Sequence, residues 1–258
     1  MMDVTFTQLT EWLGILWWPF VRFSGFFLVA PVFGDSKVPL MTKVLLALCF
    51  SLLCAGMVTN VPSFNPFSLQ AVLFGLYQFS FGLIFGLAVQ MFITIFTLAG
   101  QALSMQMGLS MAMMNDPNSG SSVAITGQIF SLTAMLLFLS MDGHLIVLDV
   151  FVDSFTLWPM NQPYPFESIK HLISLFSWMF SSALIISIPA IITMLLSNVT
   201  FGFMSRIAPS LNVFVLGFPM TMFLGLFALL ISIYGIGDIF FNLLTELHEH
   251  LNIMLRMS

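Results

Sequence analysis

The sequence predicts an all-α, membrane-associated fold of long, broken helices and helical hairpins. Hydrophobic residues form 59% of the 258-residue chain and charged residues only 7%, whereas soluble domains carry about a quarter charged residues. Long apolar segments alternate with short turns rich in Pro, Gly, Asn and Asp, as expected for helices in a membrane or a membrane-associated complex. The six basic residues are too few for the basic face that nucleic acid requires.

The first three apolar segments predict helices of very different length. Trp12–Phe33 is followed by a loop at 34–39, and Leu40–Val58 is close to the minimum length for a membrane span. Phe67–Ser104 contains 38 residues. As a helix it would be roughly 57 Å long, so it must bend, break or extend beyond a bilayer core of ~30 Å.

Small and polar residues inside these segments indicate faces that pack against protein. Gly82 and Gly86 form a GxxxG pattern, which lets another helix approach closely. Gln78 should also face protein rather than lipid. Arg22 lies inside the first apolar segment, where a charge at mid-bilayer costs about 3 kcal/mol. We expect Arg22 either to have a buried partner, a carboxylate or helix-end carbonyls, or to extend to the membrane interface.

The second half of the chain predicts four further helices: Ala124–Ser140, Leu145–Leu157, Ile169–Val199 and Leu211–Leu247. The turn-like sequence Asp142-Gly143-His144 separates the first two of these helices. A Pro-rich connector at 158–168 is the best candidate for a boundary. The last two helices, joined by a turn at 204–210, are expected to form a helical hairpin.

Residues 105–122 depart from the apolar pattern of the chain. Five methionines occur within ten residues: Met105, Met107, Met111, Met113 and Met114. The following Asn115-Asp116-Pro117-Asn118-Ser119-Gly120 is typical of a turn. We therefore expect a helix that ends in a methionine-rich segment, then a polar loop that lies across a passage formed with partner subunits. The alternative is that these unbranched, adaptable side chains only fill a core.

Three aspartates suggest an alternative function. Asp142, Asp149 and Asp153 are spaced by seven and four residues, so they would share one face of a continuous helix. A proton-coupled membrane transporter could use such a row. Catalysis is not expected, because Gly108-Leu-Ser110-Met-Ala112 lacks the last glycine of a nucleophile elbow. No metal or cofactor is expected, since His248 and His250 are only two residues apart.

Four motifs, in order, cover almost the whole chain and resemble the FliR family of flagellar type III export-gate proteins, with SctT as its counterpart in virulence secretion. They are Arg22–Gly34 with Val38-Pro39; Gly100–Pro117, with Gln106-Met-Gly108 and Asp116-Pro117; Leu136–Leu139 with Gly143-His144; and Arg206-Ile-Ala-Pro209-Ser-Leu-Asn212-Val-Phe214-Val-Leu-Gly217-Phe-Pro219. Each motif alone is weak, and the resemblance depends on all four together.

The resemblance implies a FliP-like helical half at residues 1–165 and a FliQ-like hairpin with a C-terminal tail at 166–258. It also implies a non-enzymatic subunit that assembles with FliP and FliQ, with FlhB nearby, into a gate for unfolded substrates. That assembly is expected in the bacterial inner membrane at the flagellar basal body, in contact with lipid and largely above the bilayer plane.

The plug loop of the family maps onto about residues 106–122. The residues expected to form the pore plug are Gln106, Met107, Ser110, Met111, Met113, Met114, Asn115, Asp116 and Pro117. Those expected to support helix packing and assembly are Arg22, Gly82, Gly86, Arg206, Pro209, Asn212, Gly217 and Pro219.

Overall fold

A computed structural model describes residues 6–35, 37–57, 68–109, 124–158, 166–207 and 213–256. Within these ranges, the side chains of residues 6–12, 166–169, 213–216 and 218 are not described. The described residues form eight α-helices and no strand: α1 Phe6–Val29, α2 Leu40–Cys54, α3 Leu69–Gln106, α4 Ile125–Ser140, α5 Gly143–Leu157, α6 Phe166–Ile207, α7 Val213–Tyr234 and α8 Ile236–Arg256. The predicted all-α class is confirmed.

Helix α3 is a single unbroken helix of 38 residues that contains no proline. At about 1.5 Å per residue it is roughly 57 Å long and exceeds a bilayer core of ~30 Å. Its middle turns are buried within the protein, with Phe85, Ala88, Phe92 and Phe96 all fully covered. Helix α3 is therefore a central core element as well as an apolar helix.

The predicted break between α4 and α5 is confirmed at Met141 and Asp142. Asp142 has a left-handed backbone, with φ 56°, which cannot continue a right-handed helix. Its carbonyl oxygen accepts hydrogen bonds from the N–H groups of Leu145 and Ile146, at 2.9 and 3.1 Å. The new helix α5 therefore starts directly on this residue.

The prediction of one helix over Leu211–Leu247 is wrong. The chain forms α7 and α8 instead, with a bend of 55° at Gly235. Gly235 N–H reaches the Ile231 carbonyl oxygen at only 3.4 Å, and glycine is a weak helix former. The bend lets α8 bury one apolar stripe that includes Phe240, Leu247 and Leu251, while its charged face stays exposed.

The chain forms two compact units, each assembled from separate stretches. The first consists of Met1–Met91, Asp142–Phe176 and Thr245–Ser258, and the second of Phe92–Met141 and Ser177–Leu244. A cluster of phenylalanines from α1, α3 and α5 fills the first unit, where the Phe26 and Phe151 rings stack at 4.6 Å. In the second unit, the ring centroids of Phe240 and Phe92 lie 5.0 Å apart. The predicted division into a FliP-like half at residues 1–165 and a FliQ-like hairpin at 166–258 describes likeness to other proteins rather than compactness. It stays a prediction.

Two helices in the described part of the chain are long and apolar enough to cross a membrane, Leu69–Gln106 and Lys170–Ile207. Two further spans are possible by length and composition if each bent pair, α4 with α5 and α7 with α8, counts as one. The expectation of apolar helices typical of a membrane protein is confirmed, and several of them depart from simple straight spans.

Candidate functional site

The methionine-rich segment begins where α3 ends. Gly108 has φ 75°, the left-handed conformation that glycine adopts without steric cost. Its N–H donates to the Met105 carbonyl oxygen at 3.1 Å, and Leu109 N–H donates to the Ser104 carbonyl oxygen at 3.2 Å. These two bonds form a Schellman motif, a common glycine-based end of a helix. Gly108 therefore ends α3 and directs the chain into the loop.

The return of the chain from the loop lies directly against α3. The Thr126 hydroxyl donates to the Gly100 carbonyl oxygen at 2.7 Å, and both groups are buried. A Cβ added at Gly100 would lie 2.7 Å from the Thr126 carbonyl oxygen and 2.8 Å from Gly127 Cα. Only glycine allows the two backbones to come this close. The start of α4 is therefore held against the last turns of α3.

Met107 lies in the core of the second unit, with only 1% of its surface exposed. Its side chain occupies the space above Gly225 of α7, where a Cβ would lie 2.7 Å from Met107 Sδ and 2.8 Å from Met107 Cε. The first methionine of the turn is thus packed against a helix that lies more than a hundred positions further along the chain. We call Gly100, Met107, Thr126, Gly127 and Gly225 the loop base.

Most residues predicted to plug a pore lie outside the described residues: Ser110, Met111, Met113, Met114, Asn115, Asp116 and Pro117. The structure describes the other two. Gln106 is the last residue of α3 and is half-buried, and Met107 is in the loop base. The described residues therefore define the two ends of this segment, and both its loop structure and its role stay predictions.

Arg22 is 1% exposed in the core of the first unit. Its Nε–H donates to Gln78 Oε1 at 2.7 Å, and its Nη1 donates to the carbonyl and hydroxyl oxygens of Ser154 at 3.2 and 3.1 Å. The guanidinium carbon lies 4.6 Å from the ring centroids of both Phe81 and Phe155, within the range of a cation–π interaction.

These contacts resolve the two expectations for Arg22 in favour of buried partners. Ser154 belongs to the last turn of α5, where helix carbonyls carry partial negative charge that suits a cation. Gln78, predicted to face protein, is buried at 5% exposure and supplies the second acceptor. The guanidinium therefore joins α1, α3 and α5 in one unit.

Gly82 and Gly86 lie where α3 crosses α1 of the same chain. A Cβ at Gly82 would lie 2.8 Å from Phe26 N and closer still to the Arg22 carbonyl oxygen, and one at Gly86 would lie 2.9 Å from the Phe26 carbonyl oxygen. Gly25 of α1 approaches Leu83 N of α3 in the same way, at 3.0 Å. The neighbouring helix that the GxxxG pattern predicts is thus an intramolecular one.

The acidic row does not form one helical face, because the backbone of Asp142 breaks the helix. Asp142, Asp149 and Asp153 are all exposed. Asp149 and Asp153 are one turn apart on α5, and no side-chain hydrogen bond caps that helix at Asp142. The condition on which the proton-relay interpretation depended, a continuous helix through all three residues, is not met.

The predicted assembly residues near the last motif are only partly described. Arg206 is exposed at the end of α6, and Pro219 is exposed within α7. A Cβ added at Gly217 would meet no atom of the described chain within 4 Å, so there is open space on that side of the helix. Pro209 and Asn212 lie outside the described residues. Their part in assembly stays a prediction.

Several residues of these sites were not predicted individually. Gly100 stands at the start of one of the family-like motifs, so its position was marked but its contact with Thr126 and Gly127 was not. Ser154 and Gly225 carry no local signal, since a serine in a helix and a glycine in an apolar helix are both common. Only a contact with a distant part of the chain distinguishes them.

Comparison with known proteins agrees with the family resemblance of the four sequence motifs. The family model for bacterial export proteins, family 1, matches residues 13–247. The chain is 31% identical to the flagellar biosynthetic protein FliR of Escherichia coli (strain K12), over 88% of this chain and 87% of the relative. It is 30% identical to FliR of Pectobacterium carotovorum subsp. carotovorum, over 86% and 85% of the two chains. FliR of Bacillus subtilis (strain 168) is 31% identical, over 78% and 79%.

An all-α protein with membrane-length apolar helices and a matching export-family model is a membrane protein of bacterial protein export. More narrowly, the chain belongs to bacterial export proteins, family 1, in its FliR branch. The predicted resemblance is confirmed. The relatives make it a component of the flagellar export apparatus, in a family described as bacterial export proteins.

Proposed function

We propose that this chain is the subunit that, together with FliP and FliQ, forms the channel through which unfolded flagellar substrates pass. FlhB would bind nearby, and the complex would lie in the bacterial inner membrane at the flagellar basal body. Membership of the export family over residues 13–247 supports the proposal, as do relatives named as flagellar biosynthetic proteins.

The loop between α3 and α4 would close this channel. The observation that carries the proposal is the loop base, in which two consecutive helices are tied at Gly100 and Thr126 while Met107 is buried against Gly225. The chain would therefore enter and leave the predicted loop at two fixed points. Apolar, pliable methionines suit a seal, because a dry hydrophobic constriction opposes water and ions without a fixed charge.

Exposed apolar side chains support assembly with other membrane subunits. Helix α6 exposes many large hydrophobic residues, among them Phe176, Phe180, Leu184, Ile185, Ile192 and Leu196. A single chain with so large an apolar surface requires lipid or protein partners. Arg206, Pro209, Asn212, Gly217 and Pro219 would take part in this assembly. Purification in mild detergent should therefore recover the chain together with several hydrophobic partners.

Deletion of Met111–Gly120 tests the function of the loop. Because the loop base is untouched, the complex should still assemble, while its closed state should pass small ions. Replacing Met111, Met113 and Met114 together by alanine should produce a smaller leak, since the backbone still obstructs the bore. Ion conductance and the yield of assembled complex are measured side by side. An assembled deletion variant that conducts no more than the parent would refute the plug.

A further inference from the structure

The start of α6 and the end of α8 meet through a pair of histidines. The ring centroids of His171 and His250 lie 5.3 Å apart, and the two ring planes are tilted by 46°. Both residues are half-buried and belong to the first compact unit. Because they are far apart in the sequence, their contact joins two helix ends that no local structure would bring together.

The exposed charges around this pair indicate a position outside a bilayer core. Helix α6 contains 42 residues and is roughly 63 Å long, about twice the thickness of that core, so its first turns need not lie inside it. Lys170, beside His171, is exposed, and so are Glu246 and Glu249 of α8. Since exposed charges are costly in hydrocarbon, this end of the two helices is in contact with water, from which protons reach the rings.

The surroundings tolerate one proton on the pair but oppose a second. The carboxylates of Glu246 and Glu249 act on His250 and favour a charge there, whereas two charged rings 5.3 Å apart would repel each other. His171 Nε2 is also buried, with no hydrogen-bond partner among the described residues. A charged ring carries an N–H on both nitrogens, so that N–H would lack an acceptor. The side chain of Glu167, one turn before His171, is not described.

We infer that His171 and His250 form a proton-sensitive clasp, which is closed while the pair carries at most one proton and which a second proton opens. An ordinary histidine changes charge near pH ~6.5, so the clasp responds to mild acid. Leu247 and Leu251 stay buried, so opening loosens the end of α8 without releasing the helix. The clasp contains no residue of the predicted pore plug and does not depend on the proposed channel.

Thermal unfolding of the full chain in detergent, at about pH 7.5 and about pH 5.5, tests the clasp on either side of the ordinary histidine pKa. The parent should unfold about 2–4 °C lower at the acid pH. The folded pair resists a second proton and the unfolded chain does not, so its contribution to stability is lost as the pH falls. His171→Gln and His250→Gln should each remove most of this shift, and the double variant should remove no more. His248→Gln, at an exposed histidine of the same helix, is the matched control and should keep the shift of the parent.

Two outcomes of this experiment would overturn the inference. The double variant could keep the full acid shift, which would assign the shift to other groups. The variants could instead lower the unfolding temperature equally at both pH values, which would show that the two rings only pack. If the variants do not fold, nuclear magnetic resonance of the parent with isotope-labelled histidine decides. The chain has four histidines, and His144→Gln and His248→Gln identify the two signals that do not belong to the pair. The remaining two rings should take up protons in two separate steps; uptake by both in one step overturns the clasp.

Discussion

A single methyl group at Gly82 should separate α1 from α3. The Cβ of Gly82→Ala would lie 2.8 Å from Phe26 N and closer still to the Arg22 carbonyl oxygen. These two atoms are the donor and acceptor four residues apart in α1, so the methyl group would press on a helical hydrogen bond. Backbone atoms cannot rotate aside as a side chain can, and the helices must move apart.

The size of the effect follows from two opposing contributions. Overpacking a core costs typically about 1–3 kcal/mol, and the upper end applies here because the clash is with backbone on the facing helix. Alanine returns up to about 1 kcal/mol as the better helix former. The net loss is about 2 kcal/mol, or a fall of roughly 4–8 °C in the unfolding temperature for a chain of this size.

Two other glycines of α3 provide the controls. A Cβ at Gly75 would meet only the Trp18 side chain, at 3.8 Å, and one at Gly86 would lie 2.9 Å from the Phe26 carbonyl oxygen. Thermal unfolding of the purified chain in detergent should therefore rank Gly75→Ala at or above the parent, Gly86→Ala below it and Gly82→Ala lowest. Equal unfolding temperatures for Gly75→Ala and Gly82→Ala would refute the reasoning.

This close intramolecular crossing also changes what the double substitution Gly82→Leu and Gly86→Leu should do. The GxxxG pattern alone predicts a closely packed neighbouring helix, and if that helix belonged to a partner subunit the double variant would lose assembly. Because both glycines face α1 of the same chain, the double variant should first destabilise the chain itself. Loss of assembly would follow from that defect.

Two further predictions concern buried and exposed charges. Arg22→Leu should lower the free energy of unfolding by about 1–3 kcal/mol, because the Gln78 acceptor is left unpaired in the core; thermal unfolding measures this, and adding Gln78→Leu should recover part of the loss. An unchanged unfolding temperature for Arg22→Leu would contradict the assignment. Asp149→Asn and Asp153→Asn should leave flagellar export near the parent level, since both carboxylates are exposed and α5 does not extend to a third. Loss of export from a normally assembled complex would instead support the proton-coupled transporter.

The helices were the most predictable part of the fold. Ala124–Ser140 matches α4 to within a residue, and the 38-residue segment of α3 is helical over nearly its predicted length. Local signals mark such ends, since proline, glycine and aspartate act on the backbone where they stand. The prediction of a single helix through Gly235 was wrong because the local sequence contains no such signal for a bend. One glycine in an apolar helix is tolerated or bends it according to what the next turns must bury, and sequence spacing does not contain that information.

Composition, periodicity and motif order were sufficient for the helical membrane class, the FliR family and the residues where α3 ends and α4 begins, because each is a property of neighbouring residues or of the chain as a whole. The tertiary structure alone decided which side chains from distant parts of the chain come into contact. From the sequence, Arg22 could have paired with a carboxylate or reached the membrane interface. In the structure its guanidinium donates hydrogen bonds to Gln78 and Ser154. Gly225 and Met107 come together only because α7 packs against the end of α3. Such contacts depend on the packing of whole helices, which no local pattern encodes.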